Sequence, residues 1–194
     1  SMRAEIARLH RQLKTTMIYV THDQIEAMTL GQRVVVMDKG VIQQIDTPMC
    51  VYTEPENLFV AGFLGNPPMN LFRGRLQERG GLGIEGEGAT LPLPASASPL
   101  LRSHRDREIV AGIRPEDFYR ERTNASDISV EGTIELVESV GSESYLHIRS
   151  GSQSFIARIK PTGLPSIGAR VTLHAPENKI LYFDGASGRR LEMQ

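Results

Sequence analysis

The sequence contains no tryptophan, only 6% aromatic residues and a single cysteine, Cys50. One thiol cannot close a disulfide within the chain, so a reducing cytosol fits best. The shortage of aromatics and a formal net charge of -1 argue against the basic, base-stacking groove that single-stranded nucleic acid requires, so no nucleic-acid partner is expected. No apolar run approaches the roughly 20 residues that span a bilayer. The N-terminal stretch R-A-E-I-A-R-L-H-R-Q-L-K is amphipathic and lacks the apolar centre of a signal peptide. His10, His104, His147 and His174 lie too far apart for ligand spacing, and no metal site is expected.

What is present is ordinary in bulk and informative in order. The 194 residues, 40% hydrophobic and 23% charged, suffice for one large or two small soluble domains. Met2, Ile6, Leu9 and Leu13 recur at helical spacing, with Arg3, Arg8, Arg11 and Lys14 mostly on the other side. Met17 to Val20 is a short, partly β-branched apolar run, predicting a strand over 17–21 buried on both faces. His22 stands at its exit, and a helix is predicted from about Asp23 to Leu30, with Asp23 and Glu26 at its positive end. R-V-V-V-M-D follows, turning at Lys39-Gly40 into V-I-Q-Q-I as an antiparallel partner. Thr47 caps a helix that has Pro48 in its first turn, and a second short helix is predicted over 56–63. These elements form an α/β segment with too few strands to close a sheet. The run V-V-V-M needs neighbours on both sides, from a partner chain or from more of the same domain.

The character changes at G-N-P-P-M-N, positions 65–70, where two prolines after a glycine favour a boundary. Downstream, N-L-F-R-G-R-L, E-I-V-A-G-I-R, V-E-G-T-I-E-L-V-E, S-Y-L-H-I-R, S-F-I-A-R-I, R-V-T-L-H-A and K-I-L-Y-F are short strand candidates between turns. They predict an all-β sandwich or small barrel. Positions 80–99, with five glycines and three prolines, read as a weakly paired hairpin and a loop outside the core. The glycines at 80–88 lack the strand-to-helix setting of a phosphate loop. G-I-R-P-E, 112–116, reads as a strand end and a proline turn rather than as a binding site at Arg114 or Glu116.

T-M-I-Y-V-T-H-D-Q-I-E-A-M-T-L, R-V-V-V-M-D-K-G-V-I-Q-Q, T-P, Y-x-x-P and F-V-A-G-F-L-G-N-P-P-M-N together resemble the ATP-binding subunits of ABC importers of the maltose and glycerol-3-phosphate type. G-I-R-P-E-D-F and G-T-I-E-L-V-E-S-V-G-S-E-S-Y-L-H-I resemble the accessory transport-associated OB (TOBE) domain of that class. The resemblance implies an α/β remnant of the nucleotide-binding domain over residues 1–66 and an all-β OB-type barrel over 67–194. It further implies homodimerisation through the β domain, membrane-spanning permease subunits and a regulatory protein as partners, and a cytoplasmic place on the inner face of the membrane. His22 matches the family's switch histidine, which contacts the γ-phosphate of ATP and orients the attacking water. One ring nitrogen would make that contact while the backbone holds the other.

Departures qualify that match. No G-x-x-x-x-G-K-S/T loop occurs in these residues, and the L-S-G-G-Q signature and the magnesium-binding aspartate with its following glutamate are also missing. ATP and magnesium are therefore expected in the complete subunit and no cofactor in this stretch alone, which reads as the C-terminal half of such a subunit, inactive by itself. Gly31-Gln32, Asp46 and Cys50 also differ from the usual family residues. The alternative is a stand-alone OB-type module that binds a small oxyanion or a regulatory partner.

Overall fold

In the computed structural model, which describes residues 2–78, 81–86 and 88–192, helix α1 (Met2–Leu13) forms where the one-faced spacing predicts it, with no residue buried. The strand expected over 17–21 does not form. Ile18 and Val20 are 92% and 90% exposed, and the backbone there joins no sheet. A strand of that composition is stable only between neighbours, and among the described residues up to Gly65 the sheet consists of two strands. Helix α2 (Gln24–Leu30) then begins as expected.

That sheet pairs β1 (Val34–Asp38) with β2 (Val41–Asp46), antiparallel, with a register shift after Val36. Lys39 and Gly40 both have positive φ, 47° and 82°, the two-residue turn whose twist matches the strands it joins. Thr47 caps α3 (Pro48–Thr53), its hydroxyl accepting from the Cys50 amide at 3.4 Å. Helix α4 (Leu58–Phe63) starts two residues later than predicted because Asn57 serves as its cap, accepting from the Val60 amide at 2.9 Å. Val34 and Val36 pack with Val51, Val60 and Leu64 into a small core. The buried Gln44 donates to the Glu54 carbonyl and accepts from the Glu56 amide, both at 3.0 Å, and so fixes the connection between α3 and α4.

A separate compact unit begins at Asn66. Its strands are β3 (Asn70–Gln77), β4 (Gly83–Gly86), β5 (Ala89–Pro92), β6 (Glu108–Ile113), β7 (Ile128–Ser139), β8 (Ser144–Ser150), β9 (Gln153–Ile159), β10 (Arg170–Ala175), β11 (Leu181–Asp184) and β12 (Arg190–Leu191). They form two antiparallel sheets, ordered β10-β7-β8-β9 and β12-β11-β6-β3-β4-β5. β9 and β10 alternate: Phe155, Ala157, Leu173 and Ala175 are buried in one continuous core with Phe72, Ile109, Ile134 and Leu146, and Ile159 and Val171 are partly buried against it. Phe155 lies 5.4 Å from the Phe72 ring and 5.2 Å from Phe118. Gly132 is required on β7, since a Cβ there would stand 2.4 Å from Ile148 Cγ2 and 2.7 Å from the Arg149 carbonyl oxygen.

Two side-chain amides stitch the sheets together. Asn70 on β3 donates to the Ile156 carbonyl and accepts from the Ile156 amide of β9, both at 2.8 Å. Reciprocally, Gln153 on β9 donates to the Arg73 carbonyl at 2.7 Å and accepts from the Arg73 amide at 3.1 Å on β3. Each amide takes the place of a missing strand neighbour for one residue.

The 80–99 segment does form a hairpin, β4 with β5, but it does not lie outside the core. Ile84, Leu91, Leu93 and Ala97 are all buried in it. Four-residue strands are too short for alternation to register against the glycines and prolines around them. Gly80 and Glu87 of that segment lie outside the described residues.

The loop before β7 is held by Asp127, which accepts from the Asn124 amide at 2.7 Å and from the Thr123 amide and hydroxyl, each at 3.1 Å. Burial pushes its carboxyl up, but the Asn124 amide, the Tyr119 and Thr123 hydroxyls and the Thr123 amide outweigh burial and hold it at about 2.

Candidate functional site

His22 sits at the tip of a turn that its neighbours brace from both sides. Before it, the Thr21 hydroxyl accepts from the Asp23 amide at 2.9 Å and donates to the Glu26 carboxylate at 2.7 Å. The Tyr19 hydroxyl reaches the same Glu26 oxygen at 3.1 Å, and that bond, ahead of burial, raises its pKa. After it, Asp23 caps α2, accepting from the Ile25 and Glu26 amides at 2.7 and 3.3 Å. Asp23 thus has the helix-end role read from the sequence. Glu26 does more, collecting the two hydroxyls that precede the turn.

The imidazole of His22 is exposed and makes no hydrogen bond to the described residues. The backbone contact expected for its second nitrogen is absent among the described residues. The turn presents a rotatable ring capable of donating or accepting one contact.

Gln24, which the sequence reading passed over, anchors this turn. Its side-chain amide donates to the Phe63 carbonyl at 2.6 Å and accepts from the Gly65 amide at 2.8 Å. Phe63 ends α4, so its carbonyl lacks a helical partner. No local signal marks Gln24, because its partners lie about 40 residues downstream.

The candidates Arg114 and Glu116 lie in the unit that begins at Asn66. Arg114 is buried where β6 runs into the 3-10 turn Pro115–Asp117, as the strand-end reading implied. Burial raises the Asp117 carboxyl, opposed by Lys179. Among the described residues the buried Tyr182 hydroxyl has no hydrogen-bond partner, and burial, then Glu177, raises its pKa. A cleft lined by Phe72, Ile84, Leu91 and Val130 measures about 10 Å³, space for one water at most. Among the described residues no three His, Cys, Asp or Glu side chains gather as metal ligands. No helix among them is long and apolar enough to cross a membrane.

Residues 65–118 match the MalK OB fold domain and residues 111–183 match the TOBE domain. The chain carries both domains. The β unit is accordingly an all-β OB-type barrel, preceded by a short α/β segment. Along the whole sequence, the sn-glycerol-3-phosphate import ATP-binding protein UgpC of Escherichia coli O6:H1 is 43% identical over 194 residues, 98% of this chain and 52% of that protein. UgpC of Yersinia enterocolitica serotype O:8 is equally similar, with the same shares covered. UgpC of Salmonella paratyphi A is 41% identical over 190 residues. The chain spans about half the length of the curated relatives it matches. The resemblance to import ATP-binding subunits therefore runs through the α/β segment as well as the OB/TOBE unit. Among solved structures, the cytoplasmic molybdate-binding protein ModG with molybdate bound is similar at a TM-score of 0.46 and 14% identity, over 58% of this chain and 94% of that one.

Proposed function

We propose that this chain works as part of the ATP-hydrolysing subunit of an ABC importer for sugars or related solutes. The observation that carries the proposal is the 43% identity to glycerol-3-phosphate import ATP-binding proteins over 98% of the chain, which makes glycerol-3-phosphate the first solute to test. In this reading residues 1–66 belong to the nucleotide-binding domain, and residues 67–194 are the regulatory and dimerising domain. Its partners are a second copy of the subunit, joined through the β domain, the membrane-spanning permease subunits, and a regulatory protein. The assembly works on the cytoplasmic face of the membrane.

Phosphoryl transfer is catalysed mainly by positioning and charge stabilisation, and His22 contributes one polar contact to it. In the complete subunit, with ATP and magnesium held by other parts of the nucleotide-binding domain, the imidazole supports the γ-phosphate and the attacking water. Its exposure on a braced turn leaves the ring open to that contact.

The test is His22→Ala in the complete subunit assembled with its permease. A contact made chiefly in the transition state lowers turnover about a hundredfold, on the order of 3 kcal/mol, while ATP affinity changes little. Near-normal turnover with a depressed thermal midpoint would assign the histidine a structural role and refute the catalytic one.

A further inference from the structure

The turn that carries His22 has an attachment that its own bracing does not require. Thr21, Asp23 and Glu26 already hold it to α2 through local bonds. Gln24 adds a bond pair to a distant piece of backbone, the Phe63 carbonyl and the Gly65 amide. Gly65 has a φ of 112°, in the region that favours glycine, so the chain bends where Gln24 grips it. The next residue, Asn66, opens the OB/TOBE unit.

We propose that Gln24 is a positioning residue that couples the place of His22 to the segment leading into the OB/TOBE unit. The inference rests on the reading of His22 given above and adds to it a residue that sets where His22 stands. One residue separates Gln24 from His22, and the Gln24 amide holds the Phe63–Gly65 backbone through both its donor and its acceptor. A shift of Phe63–Gly65 by about 1 Å moves the turn by a comparable amount, enough to lower a positioned group's contribution markedly.

The experiment compares His22→Ala, Gln24→Met and Gln24→Glu in the complete subunit with its permease. ATP turnover, KM for ATP and thermal midpoint are measured on each. Met fills the space of Gln without either hydrogen bond. Glu keeps the acceptor for the Gly65 amide and loses the donor to Phe63. The expected result is a kcat lowered on the order of tenfold in Gln24→Met, an unchanged KM, and partial recovery in Gln24→Glu. In parallel, Gln24→Met in the 194-residue chain speeds exchange of the Gly65 amide and moves the His22 ring signals in the NMR spectrum. Normal kcat in Gln24→Met alongside a lost kcat in His22→Ala overturns this proposal alone. Unmoved His22 ring signals when the Gly65 amide has been released also overturn it. Normal kcat in His22→Ala overturns the reading of His22, and this proposal with it.

Discussion

The chain up to Gly65 and the OB/TOBE unit solve the same problem with opposite success. Beyond Asn66, Leu136, Val140 and Ile167 are the exposed large hydrophobics among the described residues; before it, Met17, Ile18, Val20, Val35, Met37, Val41, Ile42 and Ile45 are all in that state, with others besides. The β unit closes its core with its own two sheets and the Asn70 and Gln153 stitches. In the first unit Val34, Val36, Val51, Val60 and Leu64 form a small buried cluster against one face of a two-stranded sheet, with Ala61 also buried. An exposed apolar sheet face with open edges calls for a cover. In the proposed function, the rest of the nucleotide-binding domain supplies it.

The largest expected effect sharpens this contrast. Phe155→Ala removes a ring packed between Phe72 and Phe118 and should destabilise the β unit by about 3–5 kcal/mol, read from a denaturant melt. Val35→Ser and Met37→Ser, on the exposed face of β1, should change the same melt by no more than about 0.5 kcal/mol. A large loss from either would mean that this face is covered within the chain. Next comes the stitch: Asn70→Ala leaves the Ile156 amide and carbonyl of β9 without the side chain that satisfies both, about 1–3 kcal/mol for each group left buried. A silent Asn70→Ala would show that the sheets need no seam.

The smallest effect is on pH dependence. The Asp127 carboxyl is held below its ordinary value, at about 2. A depressed carboxyl stabilises the fold above its unfolded pKa, so this contribution is complete above about pH 4 and is lost as pH falls from there through about 2. Comparing thermal midpoints of wild type and Asp127→Asn from pH 6 to pH 2 should show the gap between them narrowing across that window. A constant gap would remove ionisation from the role of Asp127.

Much of this was legible in the sequence because it rests on neighbours. The Lys39-Gly40 turn, the Thr47 cap, the one-faced α1 and the alternating strands at 155–159 and 171–175 depend on residues a few positions apart. What stayed hidden depends on distance. Gln24, Gln44, Asn70 and Gln153 each use one amide both to donate to and to accept from remote backbone, and nothing beside them in the chain announces it. His22 could be located only through resemblance. Its turn is held by the local Thr21, Asp23 and Glu26 but placed by the remote Phe63 and Gly65.

Residues 17–21 depart from the strand their composition predicts for an instructive reason. Met17-Ile18-Tyr19-Val20 has the composition of a strand buried on both faces, and composition reports the environment in which a segment is stable, whether or not that environment is present. Ile18 and Val20 are exposed because the neighbours that would pair with them are not among the described elements.

Backbone hydrogen exchange tests this contrast most directly, by comparing the 194-residue chain with the complete subunit carrying the same residues. The account predicts that the amides of residues 17–21 exchange freely in the 194-residue chain and become protected in the complete subunit, while those of β3 and β6 to β9 are equally protected in both. Fast exchange of residues 17–21 in both proteins, or protection of the β strands in the complete subunit alone, would contradict it.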